Sequence, residues 1–196
     1  MSTRRISDEQ LIELLEAAIF VAPQPLTKKQ LKETVLSDIN VSSKRVNEAL
    51  EAISAHYQTR GIRLVHVGSG YRFQACSSLS PWLSKLFQER APKYSRALME
   101  TLSLIAYRQP ITRGEIEQVR GVTVASNIMK TLQERGWVKV IGHKEVPGRP
   151  ALYATTNEFL DYFSLSGLEQ LPPLPEQQQS QIDKLLHDPS VREPSE

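Results

Sequence analysis

Hydrophobic positions fall at helical spacing in two separated blocks of the chain. In the first block, Leu11, Leu14, Leu15, Ala18 and Ile19 follow the three-and-four spacing that places side chains on one helix face. Ser7 precedes them and Gln10 lies three places on, the arrangement in which a cap side chain and the backbone satisfy each other. Together these predict a helix over residues 8–22. In the second block, Leu98, Leu102, Ile105 and Ala106 repeat the spacing behind Ser95, and Pro110 ends it because proline lacks the N–H that continues the helix ladder. Nearly the same phrase then follows each block, QPLTKKQL at 24–31 and QPITRGEI at 109–116. Thr27 and Thr112 are predicted N-caps, closed by Gln30 and Glu115. Leu26 with Leu31 and Ile111 with Ile116 occupy the positions of a hydrophobic staple.

The repetition continues downstream. A short helix and then a longer one are predicted in each half, through Val46, Ala49, Leu50, Ile53 and Tyr57 up to Gly61, and through Ile128, Met129 and Leu132 up to Gly136. Both glycines suit the position just past a helix end. GIRLVHVGSGYRFQA then alternates as a β-hairpin with a glycine turn, and WVKVIGHKEVPGRPALYAT repeats the plan with a longer turn. Three helices and a hairpin make a winged-helix unit. The expected fold class is mainly α with small β-hairpins, two winged-helix domains in tandem over residues 1–90 and 91–165. SPWLSKLFQERAPKYS between them predicts a connecting helix with Ser80 as its N-cap and Pro81 as its first residue, ending before Pro92. The proline-, glutamine- and acid-rich segment 166–196 predicts disorder, with at most a transient helix over Ile182 to Leu186.

Composition narrows the function classes. No apolar run approaches the roughly 20 residues needed to span a bilayer, and MSTRRISDEQ lacks the apolar stretch of a secretory signal, so a cytosolic protein is expected. The single cysteine, Cys76, excludes an internal disulfide and a cysteine-rich metal site. His56, His66, His143 and His187 are scattered, and none pairs with an acid and a nucleophile in a recognisable order. Gly68 to Gly70 lies between strands, with no helix to hold an anion, so it reads as a turn and not as a phosphate loop. No enzyme, cofactor, metal or small-molecule substrate is expected.

Charge bears on DNA binding. Residues 1–90 hold 12 Lys and Arg against 9 Asp and Glu, residues 91–163 hold 10 against 7, and the tail holds 2 against 6. The third helices matter more, because a DNA reader lays that helix in the major groove. SSKRVNEALEAISAHYQTR interleaves Glu48 and Glu51 with its cations, and VASNIMKTLQERG sets Lys130 and Arg135 against Glu134. Neither forms the one-signed stripe that neutralises phosphates. A DNA-binding winged-helix transcriptional regulator is therefore the alternative, and a protein-contact module leads. AAIFVA and SLIAY carry apolar residues around more than one helix face, which places Phe20, Val21, Leu104 and Tyr107 between core and interface. A shared face of this kind closes most simply as a two-fold dimer.

Two longer stretches carry a family resemblance. GHKEVPGRPALYATTNEFLDYF with LMETLSLIAYRQPITRGEIEQVRGV closely resembles the second domain of bacterial segregation and condensation protein B. LLEAAIFVAPQPLTKKQL with GIRLVHVGSGYRFQA resembles the first domain, and the match runs from about Leu11 to Leu174. The chain departs from the family's usual pattern at Trp137, at Gly142-His143-Lys144 and at Ser164. The resemblance implies an accessory subunit of the chromosome-condensing SMC complex, in the cytoplasm with the nucleoid. It implies a homodimer gripping the kleisin, segregation and condensation protein A (ScpA), which bridges the SMC ATPase heads, with DNA touched only indirectly or weakly and no membrane. It nominates Leu11, Leu15, Ile19 and Phe20 for the dimer face. Tyr107, Arg120 and the turn Val146, Pro147, Gly148, Arg149, Pro150 and Tyr153 are nominated for the kleisin face. On the residues alone, Pro147, Gly148 and Pro150 stiffen a turn, and Arg149 either pairs with an acid of a partner or caps the local backbone.

Overall fold

The computed structural model describes residues 5–86 and 93–187. It is mainly helical with two small sheets, and the chain divides into two compact units.

In the first unit, α1 (Asp8–Val21) begins at the predicted capping box, with Gln10 N donating to Ser7 Oγ at 3.2 Å and Ser7 N donating to Gln10 Oε1 at 3.2 Å. Its buried face is Leu11, Leu15, Ala18 and Ile19. The helix packs against α3 (Ser43–His56), which buries Val46, Ala49, Leu50 and Ile53. Between them α2 (Lys28–Glu33) starts at the Thr27–Gln30 box and puts Leu31 into the same core. Strands β1 (Ile62–Val67) and β2 (Gly70–Ala75) form an antiparallel hairpin. Leu26 adds a bridge to this hairpin, its N donating to the Tyr71 carbonyl at 3.0 Å and its carbonyl accepting from Tyr71 N at 2.8 Å. Gly70, at φ 132°, makes the close approach possible, since a Cβ there would sit 2.3 Å from the Leu26 carbonyl carbon.

Two local features differ from what the sequence predicts. Gly61 does not cap α3, which ends at His56 with Tyr57 as its C-cap. Gly61 has no left-handed backbone, and its contact is with Leu79, 3.0 Å from an added Cβ. The connecting helix from Ser80 is broken into a 3-10 turn (Ser77–Leu79), the four-residue α4 (Ser80–Leu83) and a second 3-10 turn (Ser84–Leu86). Ser80 lies inside α4 instead of capping it, and Leu79 at the cap has no side-chain acceptor to offer. The part of that expectation covering residues 87–92 lies outside the described residues.

The second unit repeats the order. Helix α5 (Arg96–Arg108) is capped by Ser95, and strand β3 (Ile111–Thr112) leads into α6 (Arg113–Arg120) at the Thr112–Glu115 box. Helix α7 (Ser126–Glu134) then precedes β4 (Val138–His143) and β5 (Ala151–Thr155). The sheet order is β3-β5-β4, all antiparallel, so the repeated phrase supplies an edge strand that a two-stranded hairpin did not anticipate. Gly121 and Gly136, at φ 68° and 69°, take the left-handed backbone that ends a helix. The core gathers Leu102, Ile105, Ile111, Ile116, Val124, Leu132 and Trp137.

Helix α8 (Asn157–Tyr162) follows. Leu160–Ser166 group with the first unit and not with residues 91–159, because Ser69 N and Arg72 Nη2 both donate to Asp161 at 2.8 Å. The segment expected to be disordered holds a 3-10 turn (Leu168–Gln170) and α9 (Glu176–His187), which packs on α6. Composition alone did not reveal that Arg108 and Tyr107 offer this segment partners in its own unit. Residues 188–196 lie outside the described residues.

Candidate protein-contact surfaces

Helix α1 divides its nominated dimer residues between two environments. Leu11, Leu15 and Ile19 are sealed in the core of their own unit, at 1%, 0% and 3% exposure, and no second chain can reach them. Phe20 is the exception, 69% exposed, with Val21 beside it at 75%. Residue geometry explains the split: at about 100° per residue, Phe20 points roughly 180° away from Leu11. A groove along this end of the helix is lined by Phe20, Pro23, Pro25, Ile62 and Phe73. Two of its residues begin an aromatic chain, with Phe20 edge-on to Phe73 at 6.4 Å and Phe73 edge-on to Tyr57 at 4.9 Å. Tyr57 donates its phenol to Glu16 at 2.6 Å, and that bond raises the phenol's pKa. Trp82 and Leu86 also stand exposed, and the sequence reading did not nominate them.

The second unit treats its nominated residues unevenly as well. Arg120 turns inward, its side chain 8% exposed, and donates to Thr101 Oγ1 at 3.2 Å and Glu100 Oε2 at 3.1 Å. Hydrogen bonds from Arg96 and from Arg120 hold the Glu100 carboxyl below its usual range. Arg120 therefore ties α6 to α5, a structural role that its nomination for the kleisin face did not include. Tyr107 is half-buried on α5 and donates to the Pro172 carbonyl at 2.6 Å. Tyr153 is half-buried on β5 opposite Ile111 and Val140.

The turn between β4 and β5 is the accessible part of that set. Val146, Pro147, Gly148 and Arg149 are exposed and Pro150 is half-buried. Gly148 and Arg149 both have positive φ, 80° and 39°, and Arg149 pairs with Glu145 at 3.5 Å in solvent. Val140 and Ile141 on β4 are also exposed. The turn is anchored at its base by Lys144, whose ammonium lies 2.5 Å from Glu115, the capping residue of α6. Burial pushes the Glu115 carboxyl up, but hydrogen bonds from Lys144 and Thr112 outweigh it and hold the group below its ordinary value. Sequence spacing links Glu115 to Thr112, but the pairing with Lys144 spans 29 residues and carries no local signal.

The third helices keep their cations at home. Lys44 pairs with Glu48 at 3.7 Å, Lys130 with Glu134 at 3.6 Å, and Arg45 with Asp8 at 2.6 Å. This arrangement does not favour the DNA-reading alternative. Among the described residues, no group of three or more His, Cys, Asp or Glu side chains is placed to hold a metal ion, and no helix is long and apolar enough to cross a membrane.

Most of the chain matches known proteins. The profile of the family "Segregation and condensation complex subunit ScpB" matches residues 13–174. A segregation and condensation protein B homolog of Coxiella burnetii is 50% identical over 161 residues, 82% of this chain and 77% of that one. Segregation and condensation protein B of Clostridium acetobutylicum is 36% identical over 195 residues, covering 97% and 94%. Among solved structures, ScpB from Mycobacterium tuberculosis is 32% identical, covering 82% of this chain and 98% of that one, with a TM-score of 0.37. These names describe segregation and condensation, and none names a reaction.

Proposed function

The chain belongs to the segregation and condensation complex subunit ScpB family, and on that premise we propose that it is a non-catalytic subunit of an SMC–kleisin complex acting in chromosome condensation and segregation in the cytoplasm. Each unit is read as a winged helix. The first, residues 1–90, forms a homodimer through Phe20 and its neighbours. The second, residues 91–165, grips the kleisin ScpA through Tyr107 and the turn from Val146 to Pro150, and the kleisin connects the dimer to the SMC ATPase. The observation that carries this reading is Phe20 and Val21 left uncovered at the end of α1, beside a buried core that does not include them.

A calorimetric titration of the full chain with the kleisin from the same organism tests it. The expected result is saturation at two chains per kleisin, with affinity that changes little between low and moderate salt. Arg149→Ala is expected to weaken that binding by roughly 1 kcal/mol while leaving the fold intact. No heat with the kleisin, together with duplex DNA binding that falls steeply with salt, would replace this reading with the DNA-binding one.

A further inference from the structure

The second unit already holds a segment across its first two helices. Tyr107 donates to the Pro172 carbonyl at 2.6 Å, and Arg108, only 14% exposed, reaches Asp183 at 2.6 Å and the Gln179 carbonyl at 3.3 Å. Gln118 on α6 donates to the Leu185 carbonyl. These contacts run from the end of α5 onto α6, so residues 168–187 form a strap and not a free tail. The strap does not fill its groove. An open groove of about 630 Å³ remains, with Met99, Leu104 and Val119 of the two helices and Leu174 and Ile182 of the strap as its apolar lining and the Glu100–Arg120 pair among its polar lining. Arg108 Nε is buried without an acceptor, so the strap satisfies that guanidinium only in part.

We propose that the α5–α6 groove is a helix-docking site that the chain's own 168–187 segment fills in cis, and that the kleisin takes it with an amphipathic, acid-bearing helix by displacing that segment. The chemistry of the occupant is read from the strap itself. Apolar side chains at the positions of Leu174 and Ile182 enter the groove, and a carboxylate at the position of Asp183 meets Arg108. The proposal rests on the reading that the Tyr107 face grips the kleisin. A strap that keeps the groove about 90% occupied weakens apparent partner affinity about tenfold, because only the open fraction binds.

The test uses the full chain carrying Ile182→Glu and Asp183→Lys, changes confined to α9. Amide exchange over 176–187 reports release of the strap. A labelled synthetic peptide of residues 168–187 is expected to bind this variant in trans and not the unaltered chain, and the kleisin is expected to bind the variant about tenfold more tightly. A released strap with no peptide binding overturns the docking site. Peptide binding with unchanged kleisin affinity overturns the competition and leaves the functional reading standing. If the kleisin binds neither chain, the functional reading fails, and the peptide result alone decides whether the groove is a docking site.

Discussion

In the first unit the phrase QPLT makes a single bridge, Leu26 to Tyr71, while in the second QPIT makes a two-residue strand, Ile111 opposite Tyr153 and Thr112 opposite Leu152. The threonine caps are alike, and each apolar residue before the cap faces a tyrosine of the second hairpin strand. What differs is the residue preceding that tyrosine, Gly70 in one unit and Leu152 in the other. At Gly70 the two backbones come too close for any side chain, whereas Leu152 pairs regularly with Thr112. The second box differs chemically too, since Glu115 carries a charge to Lys144 where Gln30 is neutral. The phrase thus sets where each second helix begins, and the partner strand decides how the phrase is held.

Breaking the tighter of the two edges gives the largest expected effect. Gly70→Val is expected to destabilise the first unit by roughly 4 kcal/mol, from a backbone conformation that side chains rarely adopt and a clash with Leu26. Denaturant unfolding monitored in each unit checks it, and the second unit should unfold as before. Leu15→Ala is expected to cost about 3 kcal/mol by opening a cavity in the core, with no change in oligomeric state where the chain remains folded. A dimer lost on this substitution alone would return Leu15 to the interface.

Glu115→Gln sharpens the chemical difference between the two boxes. Because the folded carboxyl lies below its ordinary 4.5, its contribution is fully present above that value and is lost as pH falls through the lower folded one. The substitution keeps an amide that can cap as Gln30 does, so the expected loss near neutral pH is only about 0.5 kcal/mol for a partly solvated pair. Thermal unfolding of both proteins between pH 3 and 7, roughly the range over which carboxylates change charge, should show a smaller acid-side loss in the variant.

The parts of this fold legible in the sequence are those made by neighbours along the chain. The boxes at Ser7, Thr27 and Thr112 join residues three apart, and all three form as the spacing requires. The stripe on α1 was equally visible, and helix geometry already set Phe20 off it; Leu11, Leu15 and Ile19, nominated for the dimer face by the family resemblance, lie on the stripe that fills the core. Arg120 and Arg108 were beyond local reading, because what they touch lies on another helix. The same holds for the strap, whose polar composition argues for disorder until Tyr107 and Arg108 are seen to hold it.

Phe20→Glu is the smallest change to the fold and the sharpest change to the proposed assembly. An exposed position is expected to alter stability by no more than about 0.5 kcal/mol, while a carboxylate placed in an apolar dimer face has no partner there. Sedimentation equilibrium of the unaltered chain beside this variant therefore tests the division of labour most directly. Twice the 22.2 kDa chain mass is expected for the first and a single chain mass for the second, with matching unfolding midpoints. The same mass for both would contradict Phe20 as the dimer contact, and 22.2 kDa for the unaltered chain would contradict the dimer itself.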